Sequence, residues 1–216
     1  MELENIIYPG FNKTLSELNA LSKVKKKSCE IVDLTEIEWV RDVLRHRVEE
    51  IGSYDIKFRK PTEEEIQTVS KIVGADIGMD ELKNNFHKNK RIIGITSGKG
   101  GVGKSTITSL LGIAFDELGK KVGIMDSDIW GYSVPKILGA KFPPIPFNER
   151  IFPSRINNLN VISMDYFVKQ DEAVIWRGPM LHKAIEQFLF EVLWYQCHAT
   201  ELQIKIVLLL YVTLGL

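Results

Sequence analysis

Residues 91–106 read R-I-I-G-I-T-S-G-K-G-G-V-G-K-S-T. A short β-branched apolar run enters a glycine-rich turn, and the turn opens into an amphipathic segment. Within the turn, Gly98, Gly103, Lys104 and Ser105 match the phosphate-binding P-loop pattern G-x-x-x-x-G-K-[ST] without a mismatch. Because strand, loop and helix arrive in the order that the pattern requires, the stretch predicts an α/β nucleotide-binding domain with a parallel sheet.

The residue types in this loop suit phosphate binding. Small residues let the backbone curl with its N–H groups inward, and these groups form an anion site with the positive end of the following helix. We expect Lys104 to reach the outer phosphates and the Ser105 hydroxyl to complete the Mg²⁺ shell. The predicted nucleotide-binding residues are Gly98, Lys99, Gly100, Gly101, Val102, Gly103, Lys104, Ser105 and Thr106.

Composition narrows the class of protein. The 216 residues are enough for one large core or two modest domains, and 28 basic against 28 acidic residues give no case for nucleic acid or an anionic membrane as partner. Cys29 and Cys197 lie far apart, and the sequence contains no C-x-x-C, so neither a disulfide framework nor a zinc site is indicated. The first residues do not resemble a signal peptide, and the apolar run at 204–216 is too short to span a bilayer. We therefore expect a cytoplasmic protein.

Residues 1–78 predict a small α+β domain that precedes the nucleotide-binding domain, which extends over 91–216. Residues 79–90 are polar and predict a solvated linker or the end of a helix, although their basic side chains could also meet a phosphate surface. The predicted elements of the first domain are a short helix opened by the capping-box pair Thr14 and Glu17, a strand at 24–34, a helix at 37–51, a strand at 54–58, and a helix from Pro61 to Gly74.

The segment after the P-loop predicts a helix that ends at Gly119 and a second apolar strand, Val122 to Met125. A β-α-β order of this kind predicts two parallel strands. The helical spacing assigns one buried face of the helix to Ile107, Leu110, Leu111, Ala114 and Leu118.

Two acids, Asp126 and Asp128, follow the second strand directly. Ligands of open α/β sheets bind at the carboxyl ends of strands, so both carboxylates are expected to face the phosphates. We expect Asp128 to orient a water in line with the terminal phosphate and Asp126 to act through the Mg²⁺ shell. Paired acids at a strand end are also common turn formers, and that alternative stays open at this point.

The second lysine of the loop, Lys99, is not required by the P-loop pattern. The stretch S-G-K-G-G-V-G-K-S-T resembles the deviant Walker A box of the P-loop NTPase family that includes MinD, ParA, nitrogenase iron protein and the Mrp-type iron–sulfur carriers. The resemblance implies that Lys99 crosses a dimer interface to the partner's nucleotide. It therefore implies a homodimer, with Lys99, Lys104 and Asp128 as the catalytic residues of ATP hydrolysis.

Two further boxes are similar to the Mrp branch in particular. Residues 126–135 read D-S-D-I-W-G-Y-S-V-P and resemble its first switch, and residues 174–180 read V-I-W-R-G-P-M and match a segment that ParA and MinD lack. Residues 1–78 resemble, more weakly, the iron–sulfur-assembly domain ahead of Mrp proteins, but Tyr8-Pro9-Gly10 replaces D-P-E and 35–38 contain no cysteine. The resemblance implies an ATP-binding iron–sulfur cluster carrier whose partners are client or scaffold proteins.

The resemblance stops near Tyr195. The sequence has no D-x-P-P-G switch II and no C-terminal C-x-x-C, the pair that in the family holds a [4Fe–4S] cluster, and Cys29 and Cys197 cannot replace that pair within one chain. The run at 204–216 still suits a buried third parallel strand. We therefore expect a truncated Mrp-type chain whose atypical tail, 195–216, reads like out-of-frame translation. It would bind nucleotide weakly, hydrolyse it poorly and contribute no iron–sulfur ligands.

Two rival functions remain open from sequence. A partitioning or positioning ATPase of the ParA or MinD type would require a basic surface or an amphipathic membrane helix, and neither is visible. A non-enzymatic adaptor would use residues 1–78 for docking and the P-loop only as structure. The box at 174–180 favours the carrier over the partitioning or positioning ATPase.

Overall fold

The computed structural model describes residues 2–85, 91–128, 133–167, 178–194 and 206–212. The chain divides into two compact units. The first contains Met1–Asp76 together with Ile145–Arg150, and the second contains Ile77–Pro144, Ile151–Tyr195 and the C-terminal strand. None of the described helices is long and apolar enough to cross a membrane.

The first unit is a small α+β structure. Its strands form a two-stranded hairpin and a three-stranded sheet of order β3-β4-β5, in which β3 and β4 are antiparallel and β4 and β5 are parallel. The elements are β1 (Ile7–Tyr8), β2 (Lys13–Thr14), β3 (Leu21–Lys25), β4 (Ser28–Val32), α1 (Glu38–Glu49), β5 (Asp55–Arg59) and α2 (Glu63–Val73).

Both helices of this unit lie where the sequence predicts them. The α1 helix buries Val40, Leu44 and Val48 and covers Glu38–Glu49, slightly less than the predicted 37–51. The α2 helix carries a complete capping box between Thr62 and Glu65 and ends at Gly74, which takes a φ of 72°. Both predictions are confirmed.

Two predictions for the first unit are wrong. Thr14 and Glu17 do exchange capping hydrogen bonds, of 2.8 and 3.1 Å, but they close a turn and not a helix. Asn19, with a φ of 51°, ends this turn before β3. The predicted strand at 24–34 is instead the hairpin β3–β4, in which Lys25 pairs with Ser28 across a tight turn.

The second unit is built on a five-stranded sheet of order β10-β11-β7-β12-β6. Four of the strands are parallel and β10 is an antiparallel edge. Its elements are α3 (Met79–Asn85), β6 (Arg91–Ser97), α4 (Lys104–Glu117), β7 (Val122–Asp126), α5 (Val134–Leu138), β10 (Ser154–Ile156), β11 (Leu159–Ser163), α6 (Gly178–Phe190) and β12 (Ile206–Val212). Between α5 and β10 the chain forms two short strands: β8 (Ile145–Phe147), which belongs to the first unit, and β9 (Arg150–Phe152), of which only Ile151 and Phe152 belong to the second.

The parallel β6-α4-β7 order is confirmed, and the apolar run near the C-terminus adds β12 between β7 and β6 as a third parallel strand. The stretch predicted as a linker begins with a helix, α3, whose Lys83 forms an ion pair with Glu186 of α6 at 2.7 Å. The strands β8 to β11 are not predicted from the sequence.

Both faces of the sheet are covered by apolar side chains. On one face, Val122, Ile124 and Val161 pack with partly buried Leu111 and Phe115 of α4. The opposite face is covered by α6 and by Trp194, and this cluster contains Met125, Ile162, Met164, Phe188, Val192 and Trp194.

The predicted buried face of α4 is wrong. Ile107, Leu110 and Leu118 are exposed by 51%, 61% and 68%, and only Leu111 of the predicted set packs against the core. The buried positions are Lys104, Thr108, Ser109 and Gly112. Gly112 lies against Ile124, and a Cβ built there would come 2.7 Å from its Cδ1, so the helix approaches β7 too closely for a larger side chain.

Residues 145–150 belong to the first unit although they follow the P-loop in sequence. The ring of Phe147 packs edge-on against Phe11 at 5.1 Å, and Asn148 donates a hydrogen bond to the Ser70 hydroxyl at 2.7 Å. Ile145 is buried against Gly10, where an added Cβ would clash at 2.3 Å. The first unit is therefore completed by a short arm from later in the chain.

Candidate nucleotide-binding site

The P-loop joins β6 to α4 in a conformation that requires glycine at two positions. Gly101 and Gly103 have φ values of 72° and 87°, in the left-handed region that side chains rarely adopt. Gly103 is the N-cap of α4, so the first turn of the helix starts directly from the loop. A Cβ built at Gly98, Gly100, Gly101 or Gly103 meets no atom within 4 Å, so the loop opens onto free space of the kind a phosphate group needs.

Lys104 is the first residue of α4 and is 8% exposed. Its Nζ donates to the carbonyl oxygen of Lys99 at 3.4 Å, so the lysine folds back over the loop. The Ser97 hydroxyl accepts from the Lys99 amide at 3.1 Å and fixes the start of the turn. These contacts preform the loop around the end of the lysine side chain.

The other loop residues differ in exposure. The side chains of Lys99, Val102 and Thr106 are exposed, whereas Ser105 is half-buried at the helix start. An exposed Lys99 is accessible to a second molecule, as a lysine acting across an interface must be.

Two hydroxyl residues on α4 form hydrogen bonds to the first turn of the helix, and the sequence alone did not identify them. Thr108 donates to the Lys104 carbonyl at 2.9 Å, and Ser109 donates to the Ser105 carbonyl at 2.8 Å. Both side chains are buried, so bonding back to the preceding turn satisfies their hydroxyl groups.

Asp126 and Asp128 follow β7 and are 0% and 5% exposed. The Asp126 carboxylate accepts hydrogen bonds from the Asp128 amide at 3.3 Å, the Val134 amide at 3.4 Å and the Ser163 hydroxyl at 3.2 Å. Burial nevertheless raises the pKa of Asp126 to about 6, because desolvation of the carboxylate outweighs these donors. An ionised Asp126 therefore sits where a cation would relieve its desolvation.

Strand register brings the ends of the parallel strands together. Asp126 is paired with Leu210 of β12 and with Ser163 of β11, and Ser97 at the start of the P-loop is paired with Val212. The P-loop and the two acids therefore lie at the same edge of the sheet, as the sequence predicts. Tyr211 pairs with Thr96 near the carboxyl end of β12, the strand after which the family has the acid of D-x-P-P-G.

The donor chemistry beside the P-loop fits Mg²⁺. A hydroxyl at Ser105 and a buried carboxylate at Asp126 are oxygen ligands of the kind that Mg²⁺ takes together with phosphate oxygens. Cys29, in contrast, is 2% exposed, and burial raises the pKa of its thiol. In the part of the chain that the structure describes, no group of three or more His, Cys, Asp and Glu side chains is placed to hold a metal ion.

The loop ahead of α1, at 35–38, is held by a buried acid and contains no thiol. Asp33 is buried, accepts from the Glu36 amide at 3.0 Å and forms a 2.6 Å ion pair with Arg41. These contacts of Asp33 stabilise the conformation of the loop.

Several predicted features lie outside the described residues. These are the first part of the box at 174–180, the centre of the box at 126–135, and Cys197. Gly178 to Met180, the described end of the box at 174–180, begins α6, as expected for a proline in the first helical turn.

Comparison with known proteins identifies relatives. The ParA family model, described as NUBPL iron-transfer P-loop NTPase, matches residues 88–199. An iron–sulfur cluster carrier protein of Helicobacter pylori is 31% identical over 89% of this chain and 53% of its own length, and one of Mycobacterium leprae is 45% identical over 48% of this chain and 27% of its own length. A solved nucleotide-binding protein of Archaeoglobus fulgidus, in complex with ADP, is 29% identical over 62% of this chain and 49% of its own, with a TM-score of 0.47.

The chain spans about half the length of these relatives, or less. The family match nevertheless covers the P-loop, both strand-end acids and α6, which is more than half of the chain. The chain therefore belongs to the ParA-type family of NUBPL iron-transfer P-loop NTPases.

Proposed function

We propose that this chain binds ATP with Mg²⁺ at the P-loop and works in iron–sulfur cluster transfer as a nucleotide-dependent homodimer in the cytoplasm. The observation that supports the proposal most is the preformed loop, with left-handed Gly101 and Gly103, free space over its glycines and Lys104 at the helix start. Its relatives among the iron–sulfur cluster carrier proteins support the cluster as cargo.

In this proposal the loop N–H groups and Lys104 hold the phosphates, and Ser105 and Asp126 hold Mg²⁺. The metal ion would supply charge neutralisation on the phosphate oxygens. Lys99 of one subunit would reach the nucleotide of the other, which its exposure permits.

The proposed reaction is attack of water on the γ-phosphorus. A new P–O bond forms, the bond to the β–γ bridging oxygen breaks, and the products are ADP and phosphate. Asp128 would orient the water, while Lys99 and Lys104 offset the negative charge on the transferring group. Positioning and electrostatics supply most of the catalysis in phosphoryl transfer, so a chain without D-x-P-P-G should lose rate more than it loses phosphate binding.

The cluster itself is not assigned to residues of this chain. Cys29 is buried, so its thiol is not open to an exposed cluster. Anaerobic reconstitution with iron and sulfide tests the expectation that this chain supplies no cluster ligands. We expect no cluster absorbance from the chain alone, and a broad absorption band in the visible spectrum would overturn this expectation.

A thermal-shift titration with Mg–ATP tests nucleotide binding. A ligand at a hundred times its dissociation constant stabilises the folded state by about 2.7 kcal/mol, which raises the melting temperature by several degrees. We expect a saturable rise for the wild type and, for Lys104→Ala, a smaller rise that requires at least tenfold more nucleotide. No rise for the wild type at millimolar Mg–ATP would refute the proposal.

A further inference from the structure

The carboxylate of Asp126 is tied to a residue of another strand that the sequence reading did not identify. Ser163 ends β11, and Asp126 ends β7, and the two residues are direct partners in the parallel register. The Ser163 hydroxyl donates to Asp126 Oδ2 at 3.2 Å. Both side chains are 0% exposed, so water does not compete for this contact.

The other donors to Asp126 come from the segment that follows it in the chain. The amides of Asp128 and Val134 belong to the strand end and to α5. Ser163 instead belongs to the neighbouring strand of the sheet. Ser163 therefore holds the carboxylate from a different element than the two amides do.

The hydroxyl of Ser163 has a defined orientation. Its oxygen accepts a hydrogen bond from the Asp165 amide at 3.2 Å. A serine hydroxyl has one hydrogen to donate, and here the acceptor side is engaged by Asp165, which leaves that hydrogen for Asp126. Three residues, Asp126, Ser163 and Asp165, therefore form one directional chain.

We propose that Ser163 is a positioning residue that holds the Asp126 carboxylate in the orientation needed for nucleotide-bound Mg²⁺. The inference rests on the proposed function, because Asp126 is assigned to the Mg²⁺ shell there. Ser163 touches neither the metal ion nor the nucleotide in this scheme. Its effect should therefore appear in the Mg²⁺ requirement of binding and not in the affinity for nucleotide without metal.

The test is the Mg²⁺ dependence of binding of a fluorescent ADP analogue to the full chain, measured for Ser163→Ala, Ser163→Thr and Ser154→Ala. Ser154 is the matched control, because it is a buried serine on the adjacent strand β10 whose hydroxyl donates to the Phe142 carbonyl at 2.7 Å. Loss of a hydrogen bond to a charged group should raise the half-saturating Mg²⁺ concentration of Ser163→Ala roughly tenfold. Ser163→Thr, which keeps the hydroxyl, and Ser154→Ala should stay within about twofold of the wild type.

The possible results distinguish failure of the role proposed for Ser163 from failure of the proposed function. A Ser163→Ala protein with the wild-type Mg²⁺ requirement overturns the role of Ser163 and leaves the proposed function standing. An equal shift for Ser154→Ala also overturns it, because the effect would then reflect general loosening of the strand ends. A wild type that binds no nucleotide refutes the proposed function, and the role of Ser163 falls with it. If Ser163→Ala does not fold, Ser163→Cys replaces it, since a thiol is a weaker donor of similar size and should raise the requirement in the same direction.

Discussion

The Nζ of Lys104 lies 3.4 Å from the carbonyl oxygen of Lys99, within the same P-loop. The two lysines of the loop are thus placed differently: the Lys104 side chain is buried against the loop backbone, whereas that of Lys99 is exposed. In the proposed homodimer, the buried lysine would bind phosphates of its own subunit, and the exposed lysine would reach those of the second subunit.

We therefore expect substitutions of the two lysines to separate binding from dimerisation. Lys104→Ala should weaken Mg–ATP binding at least tenfold, about 1.4 kcal/mol or more, because it removes a charge-assisted contact to phosphate. Lys99→Ala should leave binding to one subunit within about threefold of the wild type and abolish nucleotide-dependent dimers. Calorimetry and light scattering measure the two properties, and equal effects of both substitutions on binding would contradict this division.

The exposed apolar side chains of α4 allow a matched pair of neighbouring substitutions. Leu110 is 61% exposed, whereas Leu111 packs against the core of the second unit. Leu110→Ala should change the free energy of unfolding by less than about 0.5 kcal/mol, and Leu111→Ala should lower it by about 2 kcal/mol. Urea titration measures both. A larger loss from Leu110→Ala than from Leu111→Ala would mean that Leu110 is on the buried face of α4, as the apolar spacing predicts and the structure contradicts.

Gly123 on β7 lies against the indole of Trp194. A Cβ built at Gly123 would come 2.6 Å from Trp194 Cε3, while one built at Gly94 on β6 meets nothing within 4 Å. Gly123→Ala should therefore destabilise the protein by about 1–3 kcal/mol through overpacking, and Gly94→Ala should be nearly neutral. Thermal unfolding compares the two. Equal melting temperatures for both variants would show that Trp194 does not pack on this strand.

The pair Arg59 and Glu65 predicts a pH dependence for the first unit. The Arg59 guanidinium, which donates to Glu65 at 2.5 and 2.8 Å, lowers the pKa of Glu65 to about 2, with help from the Thr62 amide. A folded-state pKa below the ordinary value of 4.5 means that the pair adds stability above about pH 4.5, and that this stability is lost as the pH falls toward 2.

Glu65→Gln should therefore cost about 1 kcal/mol at pH 7, since both side chains are about one-third exposed and solvent screens the pair. The difference from the wild type should shrink below pH 4.5. Glu64→Gln, one position away on α2, is the control and should be near neutral at every pH. A difference that persists unchanged at pH 3 would show that Glu65 acts without its charge.

The features that sequence alone predicts correctly depend on local signals. The P-loop, the capping box at Thr62 and the C-terminal cap at Gly74 are each set within a few residues, and the structure has all three. The parallel β6-α4-β7 order follows from two apolar strands around one helix. The last strand, β12, is recognisable because its length and branching suit a strand buried on both faces.

Features that depend on distant parts of the chain are not predictable in this way. Apolar residues occur on two sides of α4, so periodicity cannot tell which side meets β7, and the close approach at Gly112 decides it. The contact between Ser163 and Asp126 joins residues 37 positions apart and depends on strand register. The arm at 145–150 joins the unit of residues 1–76 from beyond the P-loop, so no local signal predicts where it packs.

The most direct test of the account is calorimetric titration of the full chain with Mg–ADP, repeated in EDTA and with Lys104→Ala. The account predicts saturable binding near one nucleotide per chain, weakened when Mg²⁺ is removed and weakened at least tenfold by the substitution. Absence of binding by a folded wild-type chain at millimolar nucleotide, or binding unaffected by Lys104→Ala, would contradict it.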